Sequence, residues 1–129
     1  MIQTTRAAKG STIAVLGAST KPGRISFLAM KMLKANGFLP IAVHPAGHDI
    51  DGMPGVRLLS DIQKTVDTVI VYINAQISSA EKENILALKP RRVIFNPGAE
   101  NESLAETLIS AGIEIVENCT LVLLKTNQF

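Results

Sequence analysis

The stretch TIAVLG (12–17) has no polar face: Ile13, Val15 and Leu16 are joined by small Ala14. A strand that is apolar on both sides is covered on both sides, as in a parallel sheet between two layers of helices. The following GASTKPGR (17–24) holds two glycines, two hydroxyls and two cations. ISFLAMKMLKANG (25–37) then repeats apolar residues at helical spacing. Strand, small-residue turn and helix in that order predict an α/β fold with an anion site. A helix start carries unpaired N–H groups and the positive end of the helix dipole.

The rest of the chain repeats this alternation. Strands are predicted at FLPIAVHP (38–45), TVIVYI (68–73), RVIFN (92–96) and IEIVEN (113–118), the first of them closed by Pro45. The first helix is expected over 25–36, with Ile25, Leu28, Ala29, Met32 and Leu33 as its apolar stripe and Asn36-Gly37 as its stop. A second is expected over 78–89, capped by Ser78 or Ser79, with Glu81 and Glu83 in its first turn and Pro90 behind it. A third spans 102–112 and stops at Gly112. A short helix or turn falls near 60–65, AGHDIDGMPGVR (46–57) reads as a loop, and LVLL (121–124) packs under the sheet or adds a last short element. Residues 1–11 form a lead-in to one domain over 12–129. The fold class is a single Rossmann-like α/β domain, a mainly parallel five-stranded sheet flanked by helices. Ligands of such sheets sit beyond the carboxyl ends of the strands. That brings together Gly17–Arg24, His44–Gly47, Ile73–Ser78, Asn96–Glu100 and Asn118–Thr120.

Composition agrees with one compact domain: 129 residues, 47% hydrophobic and 19% charged. A net charge of +2 from scattered basic residues, densest at Lys89, Arg91 and Arg92, does not favour nucleic acid or an acidic membrane surface. Cys119 stands alone, so neither a disulfide within the chain nor a cysteine metal cluster is expected. The polar start MIQTTRAAKGS lacks the apolar stretch of a signal peptide, and no run approaches the ~20 apolar residues of a membrane span. A soluble cytoplasmic protein is expected.

The turn departs from two standard phosphate loops. Against G-x-G-x-x-G, Gly17 fits the first position, but Ser19 and Pro22 occupy the other two. The second strand ends in His44 and Pro45, where dinucleotide folds place a ribose-binding acid, and Asp49 and Asp51 come late. The P-loop pattern meets Pro22 at its second glycine. What remains is a turn suited to phosphate by other means. Ser19 and Thr20 offer hydroxyls and N–H groups, Gly17 and Gly23 allow close approach, and Lys21 and Arg24 supply charge. The same residues also describe an ordinary strand–helix joint with solvated cations. His44 reads as a residue that orients its loop or touches a ligand passively. His48 with Asp49 and Asp51 reads as a polar loop rather than a metal site. Glu100 and Glu102 suit a helix start. Tyr72 reads as packing, and Cys119 as a small, partly buried residue.

Taken together, VLGAST-KPGR (15–24), AVHPAG (42–47), DTVIVYI (67–73), VIFNPGAEN (93–101) and IEIVENCTLVLL (113–124) resemble the small single-domain proteins of the CoA-binding domain family, over roughly residues 10–124. That family is related to the nucleotide-binding domain of the succinyl-CoA synthetase α subunit. The resemblance implies CoA or acyl-CoA as ligand, with phosphate contacts from Gly17, Ala18, Ser19 and Thr20, joined by Lys21 and Arg24. It implies adenosine beside His44 and Pro45, where the family commonly has asparagine before the proline. It places Tyr72, Ile73 and Asn74 alongside CoA, and Pro97, Gly98, Ala99 and Glu100 on the pantetheine side. The synthetase's phosphohistidine belongs to a second domain. Both histidines here lie in 44–48, so binding carries over and that catalysis does not. The expected function is a non-catalytic CoA-binding module that acts on a partner enzyme or as a carrier. The alternatives are a small NAD(P)-dependent reductase, and an interaction protein without ligand that uses Leu121–Leu124 as a dimer surface.

Overall fold

The computed structural model of the chain describes residues 5–129. The apolar runs form strands β1 (Thr12–Leu16), β2 (Leu39–Val43), β4 (Thr68–Val71), β5 (Arg92–Phe95) and β6 (Glu114–Glu117). A two-residue strand, β3 (Gly55–Val56), joins them. All six pair in parallel, in the order β3-β2-β1-β4-β5-β6. The expected sheet of five strands is therefore one of six. β3 lies inside the glycine- and proline-rich segment read as a loop, and two residues are too short to show periodicity. It forms because β2 offers a free edge, where the Ala42 N–H donates to Pro54 O at 2.9 Å and the His44 N–H to Val56 O at 3.1 Å.

Side chains alternate across the sheet and fill two cores. Ala14, Leu16, Val43, Val69, Val71, Val93 and Phe95 pack on one face. That face is covered by α3 (Lys82–Leu88), through Ile85, and by α4 (Glu102–Ser110), through Leu104 and Leu108. Ile13, Val15, Ala42, Ile70 and Ile94 pack on the other, under α1 (Ile25–Ala35) and α5 (Thr120–Lys125). The tail read as LVLL is thus a helix that buries Leu123 and Leu124.

Two helix expectations shift. α1 buries Ser26, Ala29, Met30 and Leu33, whereas Ile25 and Leu28 of the expected stripe are 59% and 44% exposed. Seven of the nine residues from Ile25 to Leu33 are apolar, so periodicity did not select one face. The helix expected from residue 78 begins earlier, as α2 (Ala75–Ser78), and passes through a 3-10 turn at Ser79–Glu81 into α3. Asn74 is its cap, accepting from the Ile77 N–H at 3.1 Å. Ser78 is buried, and the Ser79 hydroxyl donates to Ala75 O.

The basic group at 89–92 is structural. Arg91 makes a bidentate pair with Asp67, Nε to Oδ1 at 2.9 Å and an Nη to Oδ2 at 3.0 Å, and reaches Glu114 at 3.3 Å. Burial by itself would raise the Asp67 carboxyl. Hydrogen bonds from Arg91 and Thr68, with the charges of Arg91 and Arg92, outweigh it and hold the carboxyl below its ordinary range. Arg92 is fully buried on β5, where it donates to Thr68 Oγ1 and Thr5 O and stacks 4.6 Å from the Phe129 ring centre. Burial lowers its pKa to about 10. The lead-in packs on the same end, with the Ala7 N–H donating to Phe129 O at 2.8 Å. Residues 1–4 of the expected lead-in lie outside the described residues. Among the described residues, no helix is long and apolar enough to cross a membrane.

Candidate functional site

Register brings the strand ends to one rim. Leu16 pairs with Val43 on one side and Val71 on the other, Val71 with Phe95, and Phe95 with Glu117. The next residues, Gly17, His44, Tyr72, Asn96 and Asn118, therefore leave the sheet side by side. Backbone bonds extend the ladder one step past the strands: Gly17 N–H to Val43 O at 3.0 Å, Tyr72 N–H to Leu16 O at 2.9 Å, and Asn118 N–H to Phe95 O at 3.1 Å. The rim crosses the point between β1 and β4 where the strand order reverses, the place where such sheets open a crevice.

Gly17 is needed there. Its φ is +90°, and a Cβ would stand 2.7 Å from Ile73 Cγ2 and 3.3 Å from the Ile73 backbone N. The turn beyond it is tied by the Ser19 hydroxyl oxygen, which accepts from the Lys21 N–H at 3.1 Å, and by the Arg24 N–H donating to Lys21 O at 3.0 Å. α1 then starts with Arg24 at the cap position in extended geometry. No side chain of the described residues caps it, and its first turn holds no acid. The first N–H groups of this helix, its dipole, Lys21 and Arg24 together make a positive corner.

Two clefts meet at Gly17. One, of about 580 Å³, is lined by Gly17, Ser19, Lys21, Gly23, Arg24, Ile25, Ser26 and Tyr72. The other, of about 350 Å³, runs over the end of β2 between His44, Pro45 and Arg57 on one side and Ile73 and Ile77 on the other. Of the predicted residues, Gly17, Ser19, Lys21, Arg24 and Tyr72 line the first, and Gly17, His44, Pro45 and Ile73 line the second. Ala18 is buried beneath the turn and Thr20 is exposed on it. Asn74 caps α2. Pro97 and Gly98 are exposed and Ala99 is buried, outside both clefts. Glu100 folds back to accept the Gly98 N–H at 2.9 Å.

His44 is buried, and its Nε2–H donates to His48 O at 2.8 Å. The ring thus braces the loop after β2, while His48 is exposed. The loop carboxylates have structural partners: Asp49 accepts from the Gly55 N–H, and Asp51 pairs with Lys31 at 3.0 Å. No group of three His, Cys, Asp or Glu gathers among the described residues. Burial pushes the Tyr72 phenol up to about 12, a shift that the neighbouring Thr120 hydroxyl partly offsets. Neither hydroxyl reaches hydrogen-bond geometry with a partner among the described residues.

Two asparagines hold this rim, Asn96 from the expected strand-end cluster and Asn101 just beyond it. Asn96 donates to Val71 O at 3.2 Å and accepts the Thr120 N–H at 2.8 Å, which ties β5, β4 and α5. Asn101 caps α4 by accepting the Leu104 N–H, and its amide group reaches Ala75 O, Ser78 Oγ and Ser79 Oγ at 2.9–3.2 Å. The cap role of Asn101 before ESLAE was readable from sequence; its partners 22 to 26 residues away were not. Arg57 was also missed, since it lies at the end of the segment 46–57 read as a loop.

The family model described as a CoA binding domain matches residues 11–125. Among solved structures, the chain is similar to an uncharacterized protein at 38% identity and a TM-score of 0.81, covering 95% of this chain and 100% of that one. It is similar to a Thermus thermophilus protein at 28% identity and a TM-score of 0.85, covering 93% and 91%. The fold also matches part of a dinucleotide-forming acetyl-coenzyme A synthetase 1 from Ca. Korarchaeum cryptofilum, at 20% identity and a TM-score of 0.71, covering 85% of this chain and 26% of that one.

Proposed function

Because the chain belongs to the CoA binding domain family, we propose that it binds CoA or an acyl-CoA at the Gly17 rim, as a binding module that serves a partner enzyme. The observation that carries this reading is the uncapped start of α1 beside Lys21 and Arg24, opening into a cleft at the reversal of strand order. A pyrophosphate is matched there by N–H donors and two cations. The pantetheine chain then runs past Tyr72 and Ile73 toward Pro97–Ala99, where apolar and backbone groups meet it. A binding rather than catalytic role is supported by His44, whose Nε2–H is committed to its own loop. The test is calorimetric titration of CoA into protein freed of carried-over ligand. Saturable binding at micromolar to millimolar concentration is expected, and its absence overturns the reading. Tighter saturable binding of a reduced nicotinamide cofactor would favour the reductase instead.

A further inference from the structure

We propose that the cleft over the end of β2 is a second phosphate site with Arg57 as its cation. The chain then prefers CoA that carries the ribose 3′-phosphate over CoA that lacks it. The inference deepens the CoA reading and rests on it. CoA carries anionic charge in two places, a pyrophosphate and a phosphomonoester on the ribose. Lys21 and Arg24 answer the first. The second cleft adjoins theirs through Gly17, and apart from His44, Arg57 and Glu81 its lining is apolar or glycine.

The three polar side chains differ in what they have left to offer. His44 donates Nε2–H to His48 O. Glu81 accepts from Asn84 Nδ2 at 3.1 Å. The Arg57 guanidinium has neither a hydrogen bond nor an ion pair with any described residue, and the ion pairs among the described residues belong to Lys31, Lys82 and Arg91. Its stem is nonetheless positioned. Arg57 follows β3, which is bonded to β2 through His44 N–H and Val56 O. Gly47, at φ +69°, leaves the space its chain occupies: a Cβ there would stand 2.5 Å from Arg57 Cγ. A guanidinium whose stem lies over Gly47 in the lining of a largely apolar cleft, with its fork of N–H donors unpaired among the described residues, suits a phosphomonoester bound bidentately.

The test titrates CoA and 3′-dephospho-CoA into the wild-type chain, Arg57→Gln and Arg57→Lys. The expected result is a wild-type preference for CoA of about tenfold, the scale of one charge-assisted pair. Arg57→Gln should lose that preference by weakening CoA alone, and Arg57→Lys should restore part of it. Equal binding of the two ligands by the wild type overturns the proposal, as does a preference that survives Arg57→Gln. A loss by Arg57→Gln that is equal for both ligands also overturns it, since Arg57 would then only shape the cleft. In each of these cases CoA still binds and the parent reading stands. Binding of neither ligand by folded wild-type protein ends the parent reading and the proposal together.

Discussion

Gly17 and Ile73 touch across the carboxyl ends of β1 and β4 so closely that a Cβ on Gly17 would lie 2.7 Å from Ile73 Cγ2. The backbone there is also left-handed, at φ +90°. Gly17→Ala should therefore cost about 1–3 kcal/mol from strain and overpacking together. Urea melts should show the loss, and CoA affinity should fall because the two clefts share this residue.

The proposed phosphate corner has two exposed cations, Lys21 and Arg24. The double variant Lys21→Gln, Arg24→Gln should melt as the wild type does. Its CoA affinity should drop by about tenfold or more, and its salt dependence should flatten. Ser19→Asp should likewise weaken CoA without moving the melt, by placing negative charge in the first cleft. Titrations at low and moderate ionic strength check both, and an unchanged affinity would move the phosphate elsewhere.

Asn101 is a cap and a cross-link at once. Asn101→Ala leaves the Leu104 N–H without its acceptor and takes away the amide donor to Ala75 O and two serine oxygens, at a cost of about 2–3 kcal/mol. Asn101→Asp keeps the acceptor for Leu104 and loses the donors, so it should fall between. Chemical denaturation of the three proteins orders them.

Tyr72 makes stability sensitive to alkali. Its phenol ionises near 10 in the unfolded chain and is pushed up to about 12 by burial in the folded one. The folded state thus disfavours the phenolate. Its contribution is complete below pH 10 and is lost as pH rises through 12. Tyr72→Phe should remove this part of the alkaline loss. Near neutrality it should be close to neutral in stability, because the phenol oxygen has no hydrogen-bond partner among the described residues to lose. Melting curves from pH 8 to about 11 test this.

Asp67 works in the opposite sense. Its folded carboxyl is held below the usual 3.8, so its contribution is present above that value and disappears as pH falls through the lowered one. Asp67→Asn should flatten the acid limb of the stability curve. With Arg91 partly exposed, the loss at neutral pH should be about 1 kcal/mol. Denaturation at pH 7 and near pH 3 separates the two effects.

Much of the candidate site was legible because strand ends and turns announce themselves locally. The βα turn after Leu16 and the proline after His44 marked two rim positions, and parallel register brought them together. Arg57 was hidden in a loop whose pairing depends on the free edge of β2. Asn96 and Asn101 also bond to groups 22 to 26 residues distant, where no local pattern reaches.

By itself, the amino-acid order determined the alternation of two-sided apolar strands with helices. It also determined the glycine, hydroxyl and cation content of the first turn, since each is a property of a few neighbouring residues. Only the tertiary structure decided the sixth strand, the buried face of α1 and the joining of two clefts at Gly17. Those depend on which edge was left unpaired, which side of an almost wholly apolar helix met the sheet, and how closely β1 and β4 leave the ladder. Each is a relation between segments that are distant in the chain.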